Sequence, residues 1–515
     1  MEGTKAGNLG MSPAGACHSN TLLEKALELH ASKQYEAAQA AYREALRQDP
    51  RNAELLHLLG ALLVEAGATQ PLQAEGVALL RSAVNACPRS PRYRLSLGVA
   101  LQRLGRWQEA EQAFEHAVAK DPSSVKALMS WAAALKKVGR PQRAAEVYQA
   151  VTQQQPDHPS AHLKRASLLR QSRQHAAAAE SFRHHLRLQP GDSQARFWLA
   201  ALGGATDGSG GPPPATPAAI VTALFDSYAE HFDEHLVGQL KYRTPQLLLG
   251  AILAAAGPNQ ATHCTGNRSG SGGSAPHFQR CVDLGCGTGL MGDLVRPLVA
   301  PGGLEGVDLS AGMVAKASQR GCYDQLAVGE LLAHLDPSAS PAAPADAAPC
   351  PSPTTYNLLP AQPAPAACSN RPAEGQVPQQ RRQPYDLLLA ADVFVYIGDL
   401  APVLQAAASS AAPRALFAMS TETEPPPGSH SLEVATSARG PEDAARLTSG
   451  FRLTRTGRYT HTRAYLERVL RETGWEAVLI QDQVIRENAG LPVHGLLCVA
   501  RRLSLPTEHG VALHE

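Results

Sequence analysis

The segment with the clearest chemical meaning is 281–289, which reads Cys-Val-Asp-Leu-Gly-Cys-Gly-Thr-Gly. It predicts a short apolar strand that runs into glycines at alternate positions, followed by a helix over 290–299. Glycine lets the backbone turn sharply and lets a ligand approach the main chain, while a helix start offers unpaired N–H groups. A second apolar strand ends in Asp308, 19 residues past Gly289, where an acid can accept hydrogen bonds from a ribose diol. Together these features predict an adenosine-type ligand.

The acid on the bend itself discriminates between adenosine ligands. Gly287, Gly289 and Gly292 also match the dinucleotide fingerprint G-x-G-x-x-G. However, Asp283 would repel a pyrophosphate, whereas it would attract the ammonium and sulfonium end of S-adenosylmethionine (SAM). We therefore expect SAM at this bend, with a nicotinamide cofactor and oxidoreductase chemistry as the alternative.

A family resemblance supports the same cofactor. The run 283–289, followed by Gly-Val-Asp-Leu-Ser at 306–310 and by Met313, resembles class I SAM-dependent methyltransferases. In such folds the ligand lies at the carboxyl ends of the parallel strands. The cofactor-binding residues that the resemblance implies are Asp283, Gly285, Cys286, Gly287, Gly289, Asp308, Leu309, Met313, Glu330 and Ala391.

Two further implications concern the ends of the third and fourth predicted strands. By resemblance, Glu330 is placed to meet the adenine amino group. Ala391 and Asp392 follow the fourth strand, at the position that forms the floor of the methyl-transfer site in this fold. The stretches 225–236 and 457–461 also resemble a methyltransferase subgroup that is often fused to tetratricopeptide repeats (TPRs) in bacteria.

Catalytic residues are harder to predict than the cofactor site, because a sulfonium carries its own leaving group. The protein must align a nucleophile with the methyl group and exclude water, and it needs a base only if the nucleophile arrives protonated. If a base exists, His461 is the first candidate and Asp392 the second. No Asn/Asp-Pro-Pro-Tyr/Phe motif follows the fourth strand, which disfavours amide and exocyclic-amine acceptors.

The N-terminal third is a repeat. Its period is marked by prolines, which end helices, separated by 38, 34, 34 and 34 residues: Pro50, Pro88, Pro122, Pro156 and Pro190. Small residues and aromatic residues keep step with the prolines, a pattern that resembles the TPR. We expect five repeats over 19–190 and a closing helix over 193–202. Stacked repeats form a concave face, which predicts a protein or peptide partner, or alternatively a scaffold arm.

The remainder alternates between strand and helix patterns, which is typical of a parallel sheet covered by helices. The last two predicted strands have a short connection and should form an antiparallel hairpin. The predicted strands are Arg280–Leu284, Leu304–Val307, Gln325–Val328, Tyr385–Ala390, Ala415–Ser420, Trp475–Arg486 and Val493–Ala500. The fold class is therefore α plus α/β: a helical TPR solenoid joined to a Rossmann-like, seven-stranded class I methyltransferase domain.

Composition defines the remaining segments, because Pro-, Gly- and Ser-rich stretches cannot bury enough apolar surface to fold. The predicted organisation is a disordered N-terminus at 1–18, the TPR solenoid at 19–202, a flexible linker at 203–217, the methyltransferase domain at 218–503 with disordered insertions at 259–274, 337–384 and 424–431, and a tail at 504–515.

Charge and cysteine usage limit the possible partners. The 515 residues contain 47 Lys and Arg against 46 Asp and Glu, so no nucleic-acid or membrane binding is expected. Nine cysteines show no C-x-x-C pair, which predicts no metal site and a reducing compartment. We expect a cytoplasmic protein, with organellar targeting left open. The methyl acceptor, either a protein recruited by the TPRs or a small molecule, is not identified, and a SAM-binding scaffold without turnover is a further alternative.

Overall fold

A computed structural model describes residues 13–66, 69–203, 213–256, 278–336, 383–424, 450–488 and 490–504. The chain forms two compact units, Met1–Ala195 and Arg196–Glu515. Most of the segments predicted to be disordered, namely 1–12, 259–274, 337–382, 425–431 and 505–515, lie outside the described residues. So do residues 204–212 of the predicted linker.

The first unit consists of consecutive helix pairs, which confirms the predicted repeat. The aromatic and small residues that repeat along the sequence lie between the helices, where Tyr42, Phe114, Tyr148 and Phe182 are buried. The helices are α1 Pro13–Ala31, α2 Tyr35–Gln48, α3 Ala53–Glu65, α4 Gln70–Ala86, α5 Pro91–Arg103, α6 Trp107–Lys120, α7 Val125–Lys137, α8 Pro141–Gln154, α9 Pro159–Gln171, α10 His175–Leu188 and the closing helix α11 Ser193–Ala201.

Small residues let the paired helices approach closely. A Cβ atom on Gly60 would lie 2.7 Å from the carbonyl oxygen of Gly76, and one on Gly98 would lie 2.5 Å from the ring of Phe114. The close approach therefore depends on the missing side chains. The second repeat differs in length because its second helix, α4, has 17 residues where α2 has 14.

The second unit is built on one mixed sheet. Among the described residues its strand order is β3-β2-β1-β4-β5-β7-β6, and β9 pairs antiparallel with both β5 and β8. The strands β1 to β4 run parallel to their neighbours, as does β5 to β4. The strands are β1 Cys281–Leu284, β2 Leu304–Asp308, β3 Gln325–Val328, β4 Tyr385–Ala390, β5 Ala411–Glu422, β6 Phe451–Leu453, β7 Tyr459–His461, β8 Trp475–Asn488 and β9 Leu491–Arg502.

All seven predicted strands are present, and the final two form the expected antiparallel hairpin. The count of seven was too low, since β6 and β7 add a short hairpin. Each has three residues, too few for an alternation of apolar and polar positions to be recognised.

Helices cover both faces of the sheet and complete two apolar cores. The described α-helices of this part are α12 Ala218–Asp226, α13 Thr244–Ala256, α14 Leu290–Val295, α15 Ala311–Arg320, α16 Leu331–Leu335, α17 Ala401–Ser410 and α18 Arg463–Glu472. Within the described residues, no helix combines the length and apolar character needed to cross a membrane, and no His, Cys, Asp and Glu side chains cluster as metal ligands would.

Candidate functional site

The glycine loop after β1 is held in a conformation that side chains rarely adopt. Gly285, Gly287 and Gly289 have φ angles of +73°, +53° and +95°. A Cβ atom at Gly285 would lie 2.4 Å from Val393, whereas at Gly287 it would meet no atom within 4 Å. Gly285 thus allows the loop to pack closely against Val393, and the missing side chain of Gly287 leaves the main chain accessible to a ligand.

Asp308, at the end of β2, fastens this loop to the sheet. Its two carboxylate oxygens accept hydrogen bonds from the N–H groups of Gly287 and Ser310, each at 2.9 Å. Burial raises the pKa of Asp308, and these N–H groups oppose the increase. Each carboxylate oxygen can accept a further hydrogen bond, so Asp308 remains able to bind a hydroxyl pair.

Asp283 is a buried acid with one unsatisfied oxygen. The side chain is 1% exposed, and its Oδ2 accepts a hydrogen bond of 2.6 Å from the Tyr323 hydroxyl. Oδ1 is buried and has no hydrogen-bond partner among the described residues. Burial raises the pKa of Asp283 to about 7, the Tyr323 hydrogen bond opposes that rise, and the Asp308 charge adds to it. An unpaired buried carboxylate oxygen is costly unless a cation or donor meets it.

Tyr323 is held in place by glycines. Cβ atoms at Gly292 and Gly306 would lie 2.3 Å and 3.0 Å from its ring, and one at Gly289 would lie 3.2 Å away. The ring occupies the space that these side chains would need, and its hydroxyl reaches Asp283. Gly292 is therefore a packing residue here.

A helical segment before β1 is joined to the loop by polar contacts. Asp233 accepts hydrogen bonds from Thr288 and from Arg320. Arg320 also donates to the Thr288 carbonyl at 2.6 Å and to Asp293 at 2.6 Å. Asp226, at the end of α12, accepts a hydrogen bond from the Ser310 hydroxyl. The segment is thus anchored on both sides of the glycine loop.

These elements enclose a cavity of about 660 Å³, within the usual range for ligand pockets. Tyr228 and Phe232 of the segment before β1 line it. So do most of the residues predicted from the sequence: Asp283, Gly285, Cys286, Gly287, Asp308, Leu309, Glu330, Ala391 and Asp392.

Three predicted residues do not line this cavity. Gly289 closes a turn within the loop, where its N–H donates to the Cys286 carbonyl at 2.9 Å. Met313 is 1% exposed, and its N–H is capped by the Ser310 hydroxyl at 3.1 Å. The third is His461.

His461 is buried beside β5. Its Nε2–H donates to the Gly398 carbonyl at 3.0 Å, and its Nδ1 accepts from the Thr421 hydroxyl. Burial lowers the pKa of His461 to about 4, so the ring is neutral and both nitrogens are in use. This arrangement offers no free lone pair with which to take a proton from a substrate in the cavity.

Asp392 lies in the cavity wall, in an ionic chain that the sequence did not reveal. Its φ of +56° lies in the left-handed region that residues other than glycine rarely adopt. The Ser420 hydroxyl and Arg486 Nη1 donate to its two oxygens at 2.9 Å and 3.1 Å. Burial raises the pKa of Asp392, and Arg486 opposes that rise.

Several site residues could not be identified from the sequence. Tyr323, Arg320 and Arg486 stand outside any motif, and each reaches the site only through the fold. Arg458 lies within the 457–461 stretch that the resemblance had singled out, but its type and spacing did not indicate a place in the cavity lining. Asp233 lies within the 225–236 stretch that the resemblance had singled out, but nothing in its spacing indicates a contact with a loop 55 residues later.

Comparison with known families agrees with this architecture. Residues 243–480 match a family model described as a methyltransferase domain. Residues 74–125 and 130–200 match a tetratricopeptide repeat model, and residues 26–67 match a second TPR model. The chain therefore joins TPR repeats to a methyltransferase domain. A search of curated proteins gave no match.

Solved structures with detectable similarity include TPR proteins. A crystal structure of MamA is 20% identical, covers 33% of this chain and 92% of its own, and gives a TM-score of 0.31. YrrB, described as a TPR protein with an unusual peptide-binding site, is 22% identical over 34% of this chain and 88% of its own, with a TM-score of 0.30. The Pseudomonas aeruginosa protein pilF is 17% identical over 44% and 95%, with a TM-score of 0.31.

Proposed function

We propose that this methyltransferase domain uses SAM as its methyl donor. The observation that carries the proposal is Asp283, a buried acid of the cavity lining whose Oδ1 has no hydrogen-bond partner among the described residues. A cationic donor satisfies this oxygen, because a positive charge within hydrogen-bond distance favours the carboxylate over its protonated form. The anionic pyrophosphate of a nicotinamide cofactor would instead meet a second negative charge.

Other residues of the same cavity lining suit the adenosine part of SAM. Asp308 is fixed by two N–H groups and retains capacity for a ribose diol. Leu309 and Glu330 line the cavity next to it, where the resemblance places the adenine. The open face of Gly287 leaves room between these two regions. The residues of the site therefore fit SAM along its length.

When bound, SAM supplies the methyl group together with its own leaving group. The protein contributes orientation and exclusion of water. Asp283 fixes the cationic end, and Tyr228 and Phe232 cover the cavity with aromatic rings. If the nucleophile arrives protonated, Asp392 is the candidate base, because it lines the cavity and burial raises its pKa above the ordinary value.

We further propose that the TPR unit recruits a protein, which is either the methyl acceptor or an assembly partner. TPR stacks expose a concave face to extended peptides. A SAM-binding scaffold without turnover remains the competing outcome of the test below.

Calorimetry with SAM and with NAD tests the donor assignment. We expect SAM to bind the purified chain and NAD to bind far more weakly. Asp283→Ala should weaken SAM binding at least tenfold, because it removes a charge-assisted contact. Asp482→Asn is the matched control, since Asp482 is exposed on β8 and pairs only with Arg463 among the described residues. Tighter binding of NAD than of SAM would overturn the assignment.

Labelled SAM incubated with the protein and a cell extract tests turnover. Label recovered in a protein or small-molecule fraction supports the enzyme. Donor binding without transfer to any fraction supports the scaffold.

A further inference from the structure

The cavity continues beyond the proposed donor site into a region of different character. Near the glycine loop its ionisable groups are acids, Asp283 and Asp308. Arg458 and Arg486 also belong to the lining, together with the acids Asp392 and Asp399. A donor with a positive charge is matched by the first pair, and Arg486 is itself paired with Asp392 and Glu422. Arg458 is therefore the arginine that keeps donors for a second substrate.

The arginines belong to a chain of alternating charges. Arg486 donates to Asp392 at 3.1 Å and to Oε1 of Glu422. Arg458 donates to the same Oε1 at 2.7 Å. Burial alone would raise the pKa of Glu422, but the two guanidinium groups hold it below its ordinary value. The chain thus runs from a carboxylate at Asp392 to a guanidinium at Arg458.

Arg458 is held in position by its neighbours, yet its guanidinium keeps N–H donors from which no described residue accepts a hydrogen bond. Within the described residues, Glu422 is the only group that accepts a hydrogen bond from the Arg458 guanidinium, through Nη1, whereas a guanidinium has five N–H donors. The guanidinium lies over the Tyr396 ring, 5.8 Å from its centre. A third of the side chain is exposed, and the residue lines the cavity. Its remaining donors can therefore reach a ligand.

An apolar wall adjoins this cation. The Tyr396 ring contacts Phe225 edge-on with ring centres 5.6 Å apart. Val221, Leu224, Leu236 and Leu240 line the same cavity. A ligand group bound by Arg458 would therefore continue along aromatic and aliphatic surface toward the methyl-transfer region.

We propose that this part of the cavity binds a small carboxylic acid with an apolar body, and that Arg458 recognises its carboxylate. This inference rests on the proposed function, because the acid is taken to be the methyl acceptor or the part of the acceptor that Arg458 binds. A carboxylate fits better than a phosphate because Glu422 and Asp392 already neutralise two positive charges nearby, and a dianion would add more repulsion than a monoanion. The planar guanidinium fork also matches a carboxylate with two parallel hydrogen bonds.

Equilibrium binding of matched probes tests the proposal without knowledge of the natural acceptor. The probes are 2-naphthoate against 2-naphthamide, and octanoate against octanamide, so that only the charge changes within each pair. Affinities are measured by calorimetry on the full chain, both free and saturated with S-adenosylhomocysteine. We expect the acids to bind at least tenfold more tightly than their amides.

Three variants sharpen the test. Arg458→Gln should abolish the preference for the acid, and Arg458→Lys should retain part of it, because the charge remains but the fork is lost. Arg455→Gln is the matched control on the same turn: Arg455 is exposed and outside the cavity lining, and its removal should leave the preference intact. An unchanged affinity for S-adenosylhomocysteine shows that a variant is folded. If Arg458→Gln does not fold, the comparison of Arg458→Lys with the wild-type chain tests the proposal.

The inference is overturned if the wild-type chain shows no preference for the acids, or if Arg458→Gln keeps it. Failure of the proposed function has a different signature, namely no binding of SAM or S-adenosylhomocysteine. In that case the probe affinities on the free protein still decide whether the arginine end of the cavity selects carboxylates.

Discussion

At the scale of residues, the site is organised around one acid that the fold leaves partly unsatisfied. The spacing in 281–289 and the acid at Asp308 were enough to predict the loop after β1, because these residues act through local backbone geometry; the cofactor stays a prediction. Tyr323 could not be predicted, since it reaches the site across the fold from a position without a motif. Arg458 lies in the 457–461 stretch that the resemblance singled out, but nothing in that stretch indicated that it lines the cavity. For His461 the residue type suggested a catalytic base, but in the structure both ring nitrogens are hydrogen-bonded to buried neighbours.

The raised pKa of Asp283 predicts a pH-dependent affinity for SAM. Below its pKa of about 7 the carboxyl is protonated and neutral, and above it the carboxylate attracts the donor cation. Affinity should therefore increase as the pH rises from 6 to 8, with proton release on binding at the lower pH. Calorimetry in buffers of different ionisation enthalpy measures both effects. Asp283→Asn should show weak binding with little pH dependence, and an equally steep profile in this variant would contradict the assignment.

Tyr323→Phe should move this pH profile. The Tyr323 hydroxyl stabilises the carboxylate form of Asp283, so its removal should raise the pKa of Asp283 and shift the midpoint of SAM binding upward by roughly one pH unit. The phenyl ring still fills the space between Gly292 and Gly306, so stability should change little. A loss of SAM affinity with an unmoved midpoint would indicate a purely structural role for Tyr323.

At the scale of elements, long periodic segments were predictable and short ones were not. The repeat and the seven strands follow from patterns that recur over many residues. The hairpin β6–β7 and helix α13 were missed, the first because it is short and the second because apolar residues occupy most of its faces, which obscures a helical period.

The turns between the paired helices of the repeats test how much backbone conformation contributes to the stability of the first unit. Gly105 and Gly139 have φ angles of +71° and +79°, and in the last repeat Arg173 adopts +58°. A left-handed conformation costs a residue with a side chain about 1–2 kcal/mol, and glycine loses roughly 0.5–1 kcal/mol more entropy on folding. Arg173→Gly should therefore stabilise the repeats by about 0.5 kcal/mol.

Gly139→Ala is the reciprocal change, and by the same two contributions it should destabilise the repeats by about 0.5 kcal/mol, although its Cβ would meet no atom within 4 Å. Thermal unfolding followed by helical circular dichroism measures both substitutions. Equal unfolding temperatures for the two variants would show that backbone conformation at this turn does not limit stability.

At the scale of the whole molecule, the division between the two units falls between Ala195 and Arg196, inside the closing helix α11. The sequence placed the boundary after 202, because the Gly- and Pro-rich composition begins there. Phe197, 1% exposed, forms a cluster with Leu453 and Tyr459, and a Cβ on Gly457 would lie 2.7 Å from Trp198. These contacts, which assign part of α11 to the second unit, are not encoded in any local pattern.

Truncation at two positions tests this assignment. A chain that begins at Arg196 should fold and bind S-adenosylhomocysteine, whereas one that begins at Gly203 should be less stable by roughly 3 kcal/mol or more, as expected for the loss of a buried Phe. Denaturant unfolding compares the two. Similar stabilities would show that α11 contributes nothing to the second unit.

The central claim is that the glycine loop and its buried acid hold a cationic methyl donor. The most direct measurement is a crystal structure of the protein with SAM. We predict the donor in the cavity, with its ammonium nitrogen or sulfonium facing Asp283 and, for the ammonium, an N–O distance near 3 Å to Oδ1. Density showing the cavity empty at saturating SAM, or the donor bound elsewhere, would contradict the account.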